Sequence, residues 1–197
     1  MKRGIVTLSM IGALLGAFAL GRAGAQEGTG DKGMDDMAAW MELAKTGPEH
    51  AKLMKVVGNW ACECKMWMQP GADPMLATGK AVFSSVLGDR FLKQDYEGTL
   101  MGQPDLGIGY TGFNNATRKY EAVWLSNMGT GVMLMTGTET EPGTCEFEGS
   151  CMGPGGKEVN HRLVLKHVGD DKQILEMFDT RGGVETKSME LTYTRSK

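Results

Sequence analysis

The chain has 197 residues, of which 24 are acidic and 21 are basic, so its formal net charge at neutral pH is −3. This acidic balance argues against nucleic acid or an anionic membrane surface as the partner. The length is sufficient for one domain with a hydrophobic core and too short to favour two. We therefore expect a single domain that has no nucleic-acid partner.

The first segment, 1–25, has the three parts of a secretory signal peptide. Two basic residues precede an apolar run, 5–20, and the small residues 23–25 offer a cleavage site. A transmembrane anchor is the alternative, but the run is rich in glycine and alanine and shorter than the roughly 20 residues that span a bilayer. We expect cleavage after Ala25 and a periplasmic or extracellular product without a membrane anchor. Cleavage would remove three basic residues and no acidic one, which would bring the net charge to −6.

A short helical lead is predicted after the cleavage site. Residues 26–33 are polar and glycine-rich and indicate a flexible linker. Two helices are predicted within 34–57, because apolar residues recur at helical spacing between Met37 and Ala44. Pro48 is well placed in the first turn of the second helix, since a proline there gives up no helical hydrogen bond.

From residue 58 onward, short runs of β-forming residues alternate with turn residues at intervals of about ten. The ten predicted strands lie near 59–69, 76–87, 90–101, 105–113, 117–126, 130–140, 143–152, 157–168, 172–179 and 184–195. No long crossover helix separates them, so we expect antiparallel neighbours. Closing such a sheet removes its exposed edges. The predicted fold is therefore all-β: an antiparallel up-and-down barrel of about ten strands over 58–197.

Alternation along each strand indicates which side chains face the interior, because successive side chains point to opposite faces. In the first strand the inward set is Trp60, Cys62, Cys64, Met66 and Met68. Methionine adapts to irregular shapes, and a few polar groups can orient a guest, so the predicted wall suits a small, largely apolar ligand. The predicted pocket-lining residues are Met66, Met68, Tyr96, Tyr120, Trp124, Met133, Met135, His161 and Tyr193. A barrel filled by its own side chains is the open alternative.

The first and last strands are expected to close the barrel. If the strands alternate up and down, the start of the first strand meets the end of the last, and Trp60 lies beside Arg195. A guanidinium over an indole gives a cation–π contact of about 1 kcal/mol or more. We interpret this pair as a structural closure and not as part of a catalytic site.

Four cysteines in an exported chain are compatible with two disulfides, and Cys62, Cys64, Cys145 and Cys151 are the candidates. Cys62 and Cys64 share one strand face, with Cα atoms roughly 6.5 to 7 Å apart and parallel side chains, so they are a poor pair. Cys145 and Cys151 lie still further apart along one strand. A bridge would therefore require the first and seventh strands to approach each other, and the pairing stays open.

Several segments resemble a known family: GNWACECKMWMQPGADP, LGDRFLKQDYEGTLMGQPDLGIGYTGFNN, KYEAVWLSNMGTGVMLMTGT, LEMFD and KSMELTYTR. They resemble the bacterial domain-of-unknown-function family fifteen seventy-nine from about Pro48 to Arg195. The helical lead into Gly-Asn-Trp and the late arginine also resemble the calycin superfamily, which includes lipocalins and fatty-acid-binding proteins. The resemblance implies a lipocalin-like barrel and brings no established activity. The chain departs from the family pattern at Asn114 and Ser126, and its four cysteines look peculiar to this member.

The sequence favours a non-enzymatic protein that binds a small hydrophobic ligand inside the barrel. One alternative is a metal- or haem-binding barrel that uses interior His161 with Cys62 and Cys64, because imidazole and thiolate suit copper, zinc or haem iron. The other alternative is an enzyme of unknown reaction. No Gly-x-Ser-x-Gly or His-Glu-x-x-His motif is present, so we name no catalytic residue. We assign no cofactor, and the oligomeric state is open.

Overall fold

A computed structural model describes residues 30–197. The residues before this range, which include the predicted signal peptide and the first half of the predicted linker, lie outside the described part; the second half of that linker, 30–33, belongs to the first helix. The chain divides between Trp40 and Met41 into two compact units, and the second unit contains the barrel. The first helix, α1 (Gly30–Leu43), crosses this boundary. None of the described helices is both long and apolar enough to cross a bilayer.

Ten strands follow the second helix, α2 (Pro48–Met54). They are β1 (Gly58–Met66), β2 (Met75–Val86), β3 (Phe91–Leu100), β4 (Gln103–Asn114), β5 (Lys119–Ser126), β6 (Met133–Glu141), β7 (Thr144–Met152), β8 (Glu158–His167), β9 (Lys172–Arg181) and β10 (Val184–Arg195). Each strand pairs in antiparallel fashion with its neighbours in the chain, and β1 pairs with β10. The predicted fold class is therefore confirmed as a closed, ten-stranded up-and-down barrel.

Tight turns set the register of several strand pairs. Between β6 and β7 only residues 142–143 lie outside the strands, and Gly143 has φ 78. Between β9 and β10 only residues 182–183 do so, and Gly182 has φ 60. Side chains with a Cβ rarely adopt this left-handed conformation, which is why glycine stands at both positions. These short connections keep consecutive strands in contact and favour the meander order.

Two predicted strands extended three residues too far, whereas the other strand ends were predicted to within two residues. β1 ends at Met66 instead of continuing to 69, and β6 begins at Met133 instead of near 130. After β1 the chain turns, with the N–H of Ala72 donating to the carbonyl of Gln69, and Pro70 has no N–H to offer a sheet. β-forming residues alone do not fix a strand end, because the end also depends on where a partner strand supplies hydrogen bonds.

Helix α2 lies against one end of the barrel, which we call the closed end. It begins at Pro48, and the backbone N–H of Gly47 donates to His50 Nδ1 at 3.1 Å. His50 is buried, and its ring lies edge-on to Phe113 with centroids 5.9 Å apart. Leu53 packs against buried clusters on both sides of the barrel. This one helix therefore joins the two walls at the closed end.

The barrel interior contains two separate hydrophobic clusters instead of one continuous core. The first is built on β1, β2, β3 and β10, with Trp60, Phe83 and Tyr193 among its buried members. The second is built on β5, β6 and β7 and comprises Tyr120, Met135 and Phe147. Within the described residues, each cluster therefore covers its own wall, and α2 contacts both of them.

Candidate functional site

Arg195, on the last strand, links the barrel to the segment after α2 at the closed end. In the β1–β10 pairing Arg195 lies opposite Trp60, and its guanidinium sits 4.3 Å from the centre of the indole ring. The same guanidinium donates to the carbonyls of Lys55 at 2.8 Å and Val57 at 2.9 Å, just beyond α2. The carbonyls at the end of a helix have no partner within the helix, so a forked cation is well suited to bind them. The predicted closure pair, Trp60 and Arg195, is therefore in contact, and Arg195 also holds the segment after the helix against the barrel.

A charged network also holds α2 to the second wall. Glu49 accepts a hydrogen bond from the hydroxyl of Tyr120 at 3.0 Å, and Lys52 pairs with both Glu49 and Glu139. The hydrogen bond from Lys52 holds the pKa of Glu49 below its ordinary value, and the Tyr120 bond acts in the same direction. Burial, followed by the neighbouring Glu49, raises the pKa of Tyr120. These groups have partners at neutral pH, so they are assigned a structural role.

At the opposite end, which we call the open end, inward-facing side chains remain partly exposed. Met66, Tyr96, Trp124 and Met133 face inward on four different strands, and all are half-buried although the sheet around them is closed. Solvent therefore reaches inward-facing side chains at this end of the barrel, whereas those near the closed end are mostly buried.

Trp124 lies flat against a wall made of glycine. A Cβ added at Gly107 would lie 2.1 Å from the indole, and one added at Gly109 would lie 3.1 Å from it. Any larger residue at Gly107 would push the ring away from β4. Tyr96 lies beside this ring, with centroids 6.4 Å apart. The two rings are tilted by 58° to each other and together give this end of the interior an aromatic lining.

Polar groups also face the interior. Gln94 Nε2 donates to the Tyr193 hydroxyl at 3.1 Å, and Gln173 lies opposite Tyr193 in the β9–β10 register. Gln173 is only 3% exposed, and its Nε2 is the buried side-chain nitrogen that lacks a hydrogen-bond partner in the described part of the chain. Nearer the open end, burial raises the pKa of Asp105. The interior therefore carries polar groups among its apolar side chains.

The most organised polar group joins three neighbouring strands at the open end. Cys151 Sγ lies 3.1 Å from His161 Nε2, and His161 Nδ1 lies 2.9 Å from Asp179 Oδ1. His161 is 7% exposed and Asp179 is 6% exposed, whereas Cys151 is half-buried. The sequence predicted His161 and Cys151 as inward-facing but missed Asp179 and the contact between thiol and imidazole. Only the register of β7, β8 and β9 brings the three together.

Asp179 is held as a carboxylate by its surroundings. Burial alone would raise its pKa, but the hydrogen bonds from His161 and Ser188 reverse this effect, so the pKa of Asp179 lies below its ordinary value. Ser188 Oγ donates to the same Oδ1 atom at 2.9 Å, and Arg181 contacts Oδ2 at 3.2 Å. A carboxylate only accepts hydrogen bonds, so it orients the imidazole with Nδ1 as the donor.

The other three cysteines have different surroundings. All four cysteines are free, so the candidate disulfides are not formed. The reason is the strand order, since β1 and β7 are not neighbours in the closed barrel. Burial raises the pKa of Cys62 to about 12 and that of Cys64 and of Cys145 to about 11. At neutral pH these three thiols stay protonated and behave as small apolar side chains.

The alternative metal site is not assembled in this structure. Cys62 and Cys64 lie on β1, whereas His161 lies on β8, and two strands separate them around the barrel. Across residues 30–197, no group of three or more His, Cys, Asp or Glu side chains has the arrangement to hold a metal ion. His167, the other histidine of β8, is exposed at the closed end of that strand.

The predicted lining residues divide into three sets. Met66, Tyr96, Trp124 and Met133 are half-buried at the open end, and His161 stands beside Cys151. Tyr120, Met135 and Tyr193 are buried within the two clusters. The prediction that Met68 lines the interior was wrong. Met68 is 69% exposed, because β1 ends at Met66 and the chain then turns away from the barrel.

A closed ten-stranded antiparallel barrel with a helix at one end is a lipocalin-like barrel. Residues 45–195 match the family described as "Protein of unknown function (DUF1579)", and because this match covers most of the chain, the chain belongs to that family. The family resemblance inferred from the sequence is thereby confirmed. Comparison with curated proteins gives no match.

Two solved structures show the same fold. Rv2717c from M. tuberculosis is 18% identical, with a TM-score of 0.54, and the match covers 78% of this chain and 100% of Rv2717c. The S-type phycobiliprotein lyase CPES from Guillardia theta is 12% identical, with a TM-score of 0.53, and the match covers 80% of this chain and 97% of the lyase. At these identities the likeness concerns the fold alone.

Proposed function

We propose that this protein binds a small, largely apolar molecule inside the barrel and that the molecule enters through the open end. The observation that carries the proposal is the partial exposure of inward-facing Met66, Trp124 and Met133 within a fully paired, closed sheet. Flexible methionines would adapt to guests of irregular shape, and the aromatic rings would give them apolar contact area. The sequence of residues 1–25 supports the further proposal that the protein acts outside the cytoplasm, in the periplasm or beyond it.

A groove on the outer face of the barrel is the competing site. It has a volume of about 690 Å³ and is lined mainly by outward-facing polar and charged side chains, among them Glu121, Glu148, Arg162 and Glu185. Arg162 is already occupied there, since it forms two hydrogen bonds with Glu185 at 2.9 Å each. A second outer groove has a volume of about 520 Å³ and a lining that includes Val82, Leu106 and Ile108, so apolar binding alone does not identify the interior as the site.

Two neighbouring residues on β2 give a matched test. Ala77 faces inward against the first cluster, whereas Leu76 faces outward and is 76% exposed. Ala77→Phe should fill part of the chamber and weaken binding of decan-1-ol at least tenfold, while Leu76→Phe should bind like the parent protein. Native mass spectrometry of delipidated protein titrated with decan-1-ol measures both. Equal binding by the two variants, or no binding by the parent protein, would refute an interior site.

A further inference from the structure

Three residues with complementary chemistry stand in line at the open end. His161 and Asp179 are directly opposite each other in the β8–β9 register, so their side chains share the inner face. Gly149 is opposite His161 on the other side and carries no side chain. The imidazole therefore meets the next inward residue of β7, Cys151, with Sγ at 3.1 Å from Nε2. Neighbouring strands thus build a thiol–imidazole–carboxylate line that no short sequence motif encodes.

The hydrogen-bond partners of His161 determine which of its ring nitrogens carries the hydrogen. Asp179 can only accept, so Nδ1 of His161 carries the hydrogen and Nε2 carries the lone pair. That lone pair faces the Cys151 thiol and can take its proton. A nucleophile beside a base that is itself oriented by a third group is the arrangement of activated nucleophiles in enzymes. Cys151 is also the cysteine that reaches the chamber while having a base beside it.

We propose that Cys151 is a nucleophilic thiol, with His161 as its base and Asp179 as a positioning residue, and that it captures α,β-unsaturated carbonyl compounds by conjugate addition. The thiol proton moves to His161 Nε2, and the sulfur electron pair forms a bond to the β-carbon of the guest. The carbon–carbon π bond breaks to give an enolate, whose α-carbon then takes the proton back from Nε2. The product is a thioether that retains every atom of the guest, and no oxidant or reductant takes part.

Conjugate addition is the reaction that these residues complete by themselves, since it requires a thiolate and a returning proton. Acyl transfer would also require the expulsion of a leaving group and a second step in which water cleaves the thioester. The inference that the guest carries an alkyl chain rests on the proposed function, because such a chain needs the proposed chamber. The activation of the thiol does not, because a short electrophile needs only access to Cys151.

Two probes separate these parts. Acrylamide, a short unsaturated amide, tests the activated thiol alone, and trans-2-nonenal tests the thiol together with the chamber. Full-length mature protein is treated at pH 7, and peptide mapping by mass spectrometry follows each cysteine with time. We expect Cys151 to react with acrylamide at least tenfold faster than Cys145, which lies on the same strand. We expect trans-2-nonenal to add its full mass at Cys151, and we expect Ala77→Phe to slow this addition while the outward-facing Leu76→Phe does not.

Variants of the partners test the roles. His161→Gln should slow acrylamide addition at Cys151 at least tenfold, in line with the hundredfold or greater effects typical of general bases. His167→Gln, at the other end of the same strand, should leave the rate unchanged. Asp179→Asn should slow the reaction and move its pH–rate profile, which a merely structural role would not do. Arg181 is the other charged group that contacts Asp179, so the pH–rate profile of Arg181→Gln is measured together with that of Asp179→Asn.

The parent protein alone can overturn the proposal, whatever the buried variants do to folding. If Cys151 reacts with acrylamide no faster than Cys145, the thiol is not activated. An unchanged rate in a folded His161→Gln variant, checked by its thermal transition, would remove the histidine from its role. Rapid acrylamide addition without any trans-2-nonenal adduct would contradict the capture of long-chain guests and point to an error in the proposed chamber, while leaving the activated thiol established.

Discussion

The two ends of the barrel are built from the same ten strands but differ in what the interior side chains do. At the closed end the connections 87–90, 115–118, 142–143 and 168–171 are short, and α2 packs against both walls. Charged and aromatic groups there have partners, as with Arg195 over Trp60. At the open end three of the five connections are longer, 67–74, 127–132 and 153–157, and inward-facing methionine and tryptophan stay half-buried. The barrel thus separates the contacts that hold it together from the end where inward-facing side chains stay accessible.

The largest expected effect is at the closed end, on Trp60. This residue is 2% exposed, its ring lies edge-on to Phe83, and its Nε1 donates to the carbonyl of Val56 at 2.9 Å. Trp60→Ala should lower the free energy of unfolding by about 3 to 5 kcal/mol, as removal of a buried aromatic side chain generally does. Trp67→Ala, just beyond the end of β1, is the control and should cost much less. Urea denaturation measures both, and similar losses would show that the closed end does not carry the stability.

Arg195 should show a smaller effect of the same kind. Arg195→Ala removes the cation–π contact and the hydrogen bonds to the carbonyls of Lys55 and Val57. We expect a loss of about 2 kcal/mol, because charge-assisted hydrogen bonds and cation–π contacts each contribute on the order of 1 to 2 kcal/mol. Arg195→Lys should recover little, since an ammonium lacks the planar fork. Full recovery by lysine in the same denaturation experiment would mean that only the charge matters.

The network on α2 makes a stability prediction that depends on pH. The pKa of Glu49 is lowered from 4.5 by Lys52 and Tyr120, and that of Glu139 is lowered by Lys52 and the N–H of Gly143. A lowered carboxyl pKa stabilises the folded state above the unfolded-state pKa, and the contribution disappears as pH falls through the lowered value. Glu49→Gln should therefore melt below the parent protein at pH 7, and the difference should shrink as pH falls below about 4.5. A difference that persists at pH 2 would contradict an ionic cause.

The smallest effect concerns Gln173, whose buried Nε2 has no partner within the described residues. Replacement of an unsatisfied polar group by an apolar one of similar shape is generally neutral or stabilising. Gln173→Met should leave the empty protein as stable as the parent or up to about 1 kcal/mol more stable. Gln94→Met is the contrasting variant and should be destabilising, because it removes the donor to the Tyr193 hydroxyl. Thermal melts of both proteins give the comparison.

The sequence predicts the walls of the barrel better than its ends. The ten strands were predicted because turn residues are local signals, and alternation identified Trp60, Trp124 and His161 as inward-facing. Met68 was placed wrongly, because the end of β1 depends on hydrogen bonds from partner strands and not on the residues alone.

The line of Cys151, His161 and Asp179 could not be predicted for a related reason. The three residues lie on separate strands, and a shift of one residue in either register would place one of them on the outer face. Asp179 lies in the segment Leu175–Asp179, LEMFD, which reads as an ordinary strand. Alternation along the strand places Asp179 on the same face as Gln173, which was the available signal. That signal alone does not identify His161 as the partner of Asp179.

The most direct test of the chamber is to locate a heavy-atom guest. A crystal of the mature protein soaked with 1-bromodecane would show the bromine by its anomalous signal. We predict bromine inside the barrel, between the walls that carry Met66 and Trp124 and near the open end. Bromine confined to the grooves of the outer face, or an interior closed by its own side chains with no bromine in it, would contradict an interior binding site.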